Sequence, residues 1–163
     1  MSITAGALLI LAMQGTAAIG SVLARRLPGE RAMVVGALVF AVGVAGTVGS
    51  LLAGSVVVFF GAAVVSGLGF GAAFFGAMAT VTRGVAPGER AGLLSSVFVV
   101  GYLAYSVPAI LAGFAAAEIG LQAAAEIYGA VVIVLALVTV TGLRVRRRAD
   151  ERDATRVRKP APA

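Results

Sequence analysis

The sequence predicts an all-α membrane protein, a polytopic bundle of five transmembrane helices. Of its 163 residues, 60% are hydrophobic and 12% are charged, whereas about a quarter of the residues in a soluble domain are charged. Too few polar side chains remain to cover a water-facing surface of this size. The 13 Lys and Arg residues are also confined to alternate connections between long apolar stretches and to the segment after the last stretch. This distribution is typical of membrane proteins, because basic residues accumulate in cytoplasmic loops.

Five apolar stretches are each long enough to cross about 30 Å of hydrocarbon as a helix. None contains Lys, Arg or Asp, and none shows the alternating pattern of barrel strands. Residues 1–143 are therefore predicted to form the transmembrane region, and residues 144–163 a disordered, basic cytoplasmic tail of mixed charge. The predicted spans cover about residues 3–23, 32–52, 56–81, 91–117 and 121–143.

The basic residues predict the orientation of the chain. They follow the first, third and fifth stretches and are missing from the other two connections. The protein is thus expected to cross the cell (plasma or inner) membrane several times, with its N-terminus outside and its C-terminus in the cytoplasm. Its expected partner is the lipid bilayer. No nucleic-acid partner is expected, because loops and tail account for the basic excess.

Glycine and proline indicate how the helices pack and bend. Among the 22 glycines, Gly67, Gly69 and Gly71 lie in the middle of the third span. They do not form a dinucleotide-binding fingerprint, since no strand precedes them. Small residues instead allow helix backbones to approach closely in lipid, so a packing or flexing role is predicted for these glycines. Pro108 is predicted to kink the fourth span, because proline removes a backbone hydrogen bond.

Polar side chains within the spans are candidates for a solute pathway. Gln14 lies near the middle of the first span, where it would contact either a solute or a neighbouring helix. Phe98, Tyr102 and Tyr105 recur at helical spacing in the fourth span, with Ser106 beside them. This stripe predicts an aromatic cavity wall. Ordinary packing with satisfied hydroxyls is the alternative.

The sequence does not indicate an enzyme. It contains no Cys and no His, which removes thiol chemistry and the commonest metal ligands. No set of residues resembles a catalytic triad, and neither a metal nor a cofactor is expected. Glu126 is the one acid within a span. Its shallow position favours an interfacial acid over a proton-coupling group.

Three segments resemble the major facilitator superfamily. Residues 85–96 (VAPGERAGLLSS) and 102–108 (YLAYSVP) resemble the loop between the family's tenth and eleventh helices and the eleventh helix itself. Residues 67–76 look like its Gly-rich tenth helix, and residues 20–31 (GSVLARRLPGER) are similar to the loop between helices eight and nine. The resemblance implies a partial major facilitator fold corresponding to helices eight to twelve. It also implies a gating role in the cytoplasmic loops for Arg25, Arg26, Arg31 and Arg90.

The resemblance further implies membrane transport of a small solute by an efflux-like secondary transporter. Such proteins move two helical halves around a central site, so this chain is expected to act as a C-terminal fragment that needs a missing N-terminal half. A non-transporting membrane remnant or an accessory helical subunit is the alternative. The solute is unknown.

Overall fold

The computed structural model describes residues 3–157, and over that range the chain forms five α-helices. Each predicted stretch falls within one helix, so the all-α class is confirmed for the described residues. Side chains are described for residues 11–143 and for Val145. The helices are α1 (Ile3–Ala24), α2 (Gly29–Ala53), α3 (Val56–Val81), α4 (Arg90–Ile119) and α5 (Leu121–Val157).

Helix length and composition support a membrane-embedded protein. Four segments are long and apolar enough to cross a membrane, namely α2, α3, α4 and the Leu121–Leu143 part of α5. The Leu11–Ala24 part of α1, for which side chains are described, is apolar as well but shorter. At about 1.5 Å per residue, α2 and α3 are each close to 40 Å long, which exceeds the thickness of the hydrocarbon layer.

The distribution of side-chain sizes is the reverse of that in a water-soluble core. Among the described residues, the buried apolar side chains are seven alanines and Val140. Large apolar side chains such as Val57 and Leu121 are instead 83% and 78% exposed. In lipid, apolar side chains gain little by leaving the acyl chains, so small residues mediate helix contacts. This arrangement suits a bilayer as the surrounding solvent.

The core of the fold is the contact between α2 and α3. α1 packs on the other side of α3, α5 packs on α2, and the contacts of α4 are mainly with α5. Along the central pair, Gly36 lies against Ala73 and Gly43 against Ser66, so residue numbers fall on α3 as they rise on α2. α2 and α3 are therefore antiparallel.

Two tight turns connect the helices at one end of the bundle. α2 ends at Gly54, whose φ of 62° is left-handed. Ser55 then caps α3 and accepts a hydrogen bond from the backbone N–H of Val58. Gly120 alone joins α4 to α5, and its φ of 86° is readily adopted only by glycine. Because the turn is so short, the end of α4 and the start of α5 are close neighbours.

The helix of the last span extends into the segment predicted as a tail, over residues 144–157. α5 continues without a break through Val157, whereas residues 158–163 lie outside the described residues. Alanine, arginine and glutamate in this segment are strong helix formers, and neither glycine nor proline interrupts them. The helix of the last span therefore propagates into the polar sequence. The expected kink at Pro108 stays a prediction, since α4 runs continuously through that residue.

Candidate functional site

Three glycines form the seam at which α3 meets its two neighbours. Gly67, Gly69 and Gly71 are all buried. A methyl group on Gly69 would collide with the α2 backbone at Phe40, and one on Gly71 would collide with the α1 backbone at Ala17. One on Gly67 would meet the side chain of Thr16. Gly67 and Gly71 thus allow α1 to pack closely on one side of α3, and Gly69 allows α2 to pack closely on the other.

The facing surface of α2 carries its own close contacts. Gly36 lies against the backbone of Ala73, and Gly43 lies against Ser66. Gly29, at the start of α2, lies near the end of α3, where a methyl group would be 2.9 Å from the hydroxyl of Thr80. The central pair is therefore in contact along nearly its whole length.

Two serines lie within this unit, and only one of them has a hydrogen-bond partner on another helix. Ser21 of α1 donates a hydrogen bond to the backbone carbonyl of Gly71 at 3.0 Å, which joins α1 to α3. Ser66 is 95% buried as a residue, and its hydroxyl has no hydrogen-bond partner among the described residues. Most other helical hydroxyls bond a carbonyl four residues earlier, as Thr47 does to Gly43. Neither serine was predicted, because only the helix register shows which hydroxyls reach a neighbour.

The predicted aromatic stripe lies on a helix that buries none of its residues. Phe98, Tyr102 and Tyr105 are 50%, 71% and 74% exposed, respectively, and Ser106 is exposed beside them. Within the described part of the chain, neither phenolic hydroxyl has a hydrogen-bond partner. At membrane depth, hydroxyls left in contact with lipid lose the hydrogen bonds that water or protein would supply.

The structure does not bring Gln14 to this stripe. Gln14 is exposed on α1, and α1 packs on α3 rather than on α4. The α4 residues share a face by helical spacing alone. The five pathway candidates are therefore exposed on two separate helices, α1 and α4.

The arginines of the predicted loops lie at one end of the bundle. Arg25 and Arg26 form the turn between α1 and α2, and Arg31 is exposed in the first turn of α2. The end of α3 packs beside the start of α2, so the turn that leads to Arg90 is at this end as well. Arg90 donates from Nε to the carbonyl of Val85 at 3.1 Å, which closes that turn.

The acid of the last span has a polar neighbour at the opposite end. Glu126 accepts a hydrogen bond from the Nε2 of Gln122 at 3.1 Å, one turn away on α5. Both line a shallow, open depression beside Gly120. Since this depression is open and Glu126 is bonded to its own helix, its geometry favours an interfacial acid. Among the described residues, no cluster of acids has the makeup of a metal site.

Comparison with known proteins adds no relative. No family model matches the chain, and neither a curated protein nor a solved structure matches it.

Proposed function

We propose that this protein takes part in membrane transport of a small solute, as the C-terminal part of an efflux-like secondary transporter of the major facilitator type. It would act together with further transmembrane helices that cover α4. The observation that carries the proposal is the exposed stripe Phe98, Tyr102 and Tyr105 on a helix with no buried residue.

Exposed aromatic hydroxyls at this depth favour an aqueous or protein-lined surface. α4 is apolar and long enough to span the hydrocarbon, and Tyr102 and Tyr105 lie near its middle. A helix that faced lipid on all sides would leave both hydroxyls without partners. Water or a solute in a pathway, or a polar group of a covering helix, would supply those partners.

The close-packed unit of α1, α2 and α3 suits a scaffold for such a pathway. Backbone-to-backbone contacts at Gly36, Gly69 and Gly71 fix these three helices against each other. α4 and α5, which are joined through the single residue Gly120, are held less extensively. Arg25, Arg26, Arg31 and Arg90 are placed by this proposal at the cytoplasmic end as gating residues.

Cysteine accessibility tests whether the stripe borders water. The chain has no native Cys, so single substitutions give a clean background. Tyr102→Cys and Val100→Cys lie at similar depths on α4 but on nearly opposite faces. Thiols react as thiolates, which form in water and are suppressed in apolar surroundings. In cell membranes, a charged methanethiosulfonate should modify Tyr102→Cys at least about tenfold faster than it modifies Val100→Cys.

Equal, slow modification of both cysteines would contradict the proposal. Flux gives the second test, with ethidium as an aromatic probe in whole cells that express the chain together with an N-terminal transporter half. Tyr102→Phe and Gln14→Leu should change efflux without changing the amount of folded protein. Tyr128→Phe, on α5 and 38% exposed, is the control that should leave efflux unchanged.

A non-transporting accessory subunit or remnant is the second candidate. The same exposed surface of α4 favours it, because a helical partner would cover the tyrosines without leaving a pathway. In that case Tyr102→Cys would be as slow to react as Val100→Cys. Tyr102→Cys and Tyr102→Phe would each weaken association with the partner instead of altering efflux.

A further inference from the structure

α5 continues as a helix beyond its apolar part, so the position of each charged residue in the sequence fixes its distance along the helix axis from the membrane. The apolar part of α5 ends at Leu143, directly before Arg144, yet the helix runs on to Val157. Each residue beyond Leu143 therefore lies about 1.5 Å further along the helix axis. A disordered tail would fix no such distances.

The first basic residues beyond the span fall within the headgroup layer. Arg144, Arg146, Arg147 and Arg148 are about 2–8 Å beyond Leu143 along the axis. The polar layer of each leaflet is about 5–8 Å thick, as the difference between total and hydrocarbon thickness shows. With Leu143 at the boundary of the hydrocarbon layer, the helix positions of these four arginines fall at the depth of the lipid phosphates.

The acids lie beyond that layer. Asp150, Glu151 and Asp153 follow the basic cluster and are about 10–15 Å past Leu143. Arg152 and Arg156 are about 13 and 20 Å past it. Positive charge is therefore concentrated at phosphate depth, whereas the segment further out has mixed charge.

We propose that the helix turn at Arg144–Arg148 is a binding site for anionic phospholipid headgroups. Clusters of basic residues directly beside a span attract anionic lipids, and each residue near the surface adds about a fivefold preference. The site belongs to the membrane side on which α5 emerges, and it is independent of whether the protein transports a solute.

The helix offers a matched control for this site. Arg144, Arg148, Arg152 and Arg156 follow one another at four-residue intervals, so they fall in one row along the helix. Arg144→Gln/Arg148→Gln removes two charges at phosphate depth. Arg152→Gln/Arg156→Gln removes two charges from the same row about 12 Å further out. Each pair also contains one arginine with an acid three residues away.

Fluorescence quenching by brominated lipid provides the measurement. The chain has no Trp, and Val145 is 66% exposed, so Val145→Trp places one fluorophore within the cluster. The full chain is reconstituted in symmetric vesicles of phosphatidylcholine with one-fifth phosphatidylglycerol, and either lipid carries the bromine. Symmetric leaflets make the result independent of orientation.

We expect bromine on phosphatidylglycerol to quench at least about fivefold more strongly per mole than bromine on phosphatidylcholine. Arg144→Gln/Arg148→Gln should reduce that ratio threefold or more, because each basic residue near the surface contributes about a fivefold preference. Arg152→Gln/Arg156→Gln should keep it within about 1.5-fold, and 0.5 M salt should lower the wild-type ratio through screening.

Several results would overturn the proposal. A wild-type ratio near one would mean that the cluster does not select anionic lipid. An equal loss in both double variants would mean that net charge, not depth, governs the attraction. Circular dichroism of each variant in detergent shows that helix content is unchanged, so that a lost preference is not a lost fold.

Discussion

Substitution of Gly69 by alanine should separate α2 from α3. A methyl group built at Gly69 lies 2.7 Å from the Cα of Phe40 and 2.8 Å from the carbonyl carbon of Val39. Ordinary carbon–carbon contact begins near 3.5 Å, so the two backbones must move apart by about 0.7–0.8 Å. A gap of that size loses about a quarter to a half of the dispersion energy of the surrounding contacts.

The expected cost follows from the overpacking of rigid atoms. Forcing extra volume into a packed interface costs about 1–3 kcal/mol, and here backbone, not a flexible side chain, must yield. Gly61 is the matched control because it lies on the same helix and has no atom within 4 Å of an added methyl group. Gly61→Ala should be neutral or should gain about 0.5–1 kcal/mol from helix propensity.

Thermal unfolding in detergent, followed by circular dichroism, measures the difference. The two variants should differ by about 1–4 kcal/mol on these scales. At about 2–4 °C per kcal/mol for a chain of this size, Gly69→Ala should melt at least about 2 °C below Gly61→Ala. Indistinguishable melting temperatures would refute the claim that close backbone contact at Gly69 holds α2 against α3.

Three further substitutions test the same unit. Ser66→Ala should stabilise the protein by about 1 kcal/mol in the same melt, because a buried hydroxyl without a partner carries a desolvation cost; destabilisation would reveal a missed partner. Ser21→Ala removes the hydrogen bond to the carbonyl of Gly71 and should cost about 0.6–1.7 kcal/mol, whereas no change would show that this bond adds nothing. An added methyl carbon at Gly46 lies 3.1 Å from Cβ of Ala62, close to disulfide range. Gly46→Cys/Ala62→Cys should therefore cross-link on mild oxidation, as a mobility shift in gels, and the single variants should not.

The helices themselves were predictable because apolar length and basic connections are properties of the local sequence. The predicted span 56–81 coincides with α3, and the others differ from their helices by a few residues at the ends. The exception is the tail, where mixed charge predicted disorder although the residues favour a helix. In that segment, propagation from an existing helix mattered more than composition, since extending a helix needs no new nucleus.

The candidate pathway shows where sequence reasoning stops. Helical spacing placed Phe98, Tyr102 and Tyr105 on one face of α4, and the structure has them on one exposed helix. Gln14 was a candidate for the same pathway because it is polar and lies within a span, yet α1 packs on α3 and not on α4. Spacing within a helix cannot show which helices become neighbours.

The sequence by itself determined how many apolar helices this protein has and how they suit a bilayer, because hydrophobic length and charge placement are read one segment at a time. Only the tertiary structure decided that Gly36, Gly69 and Gly71 lie at helix contacts whereas Gly49 and Gly61 do not, and that α4 is left uncovered. The physical reason is that lipid and neighbouring helices are both apolar. The sequence of a span therefore indicates little about which of its faces contact lipid and which contact another helix. Only the packing of the backbones shows this.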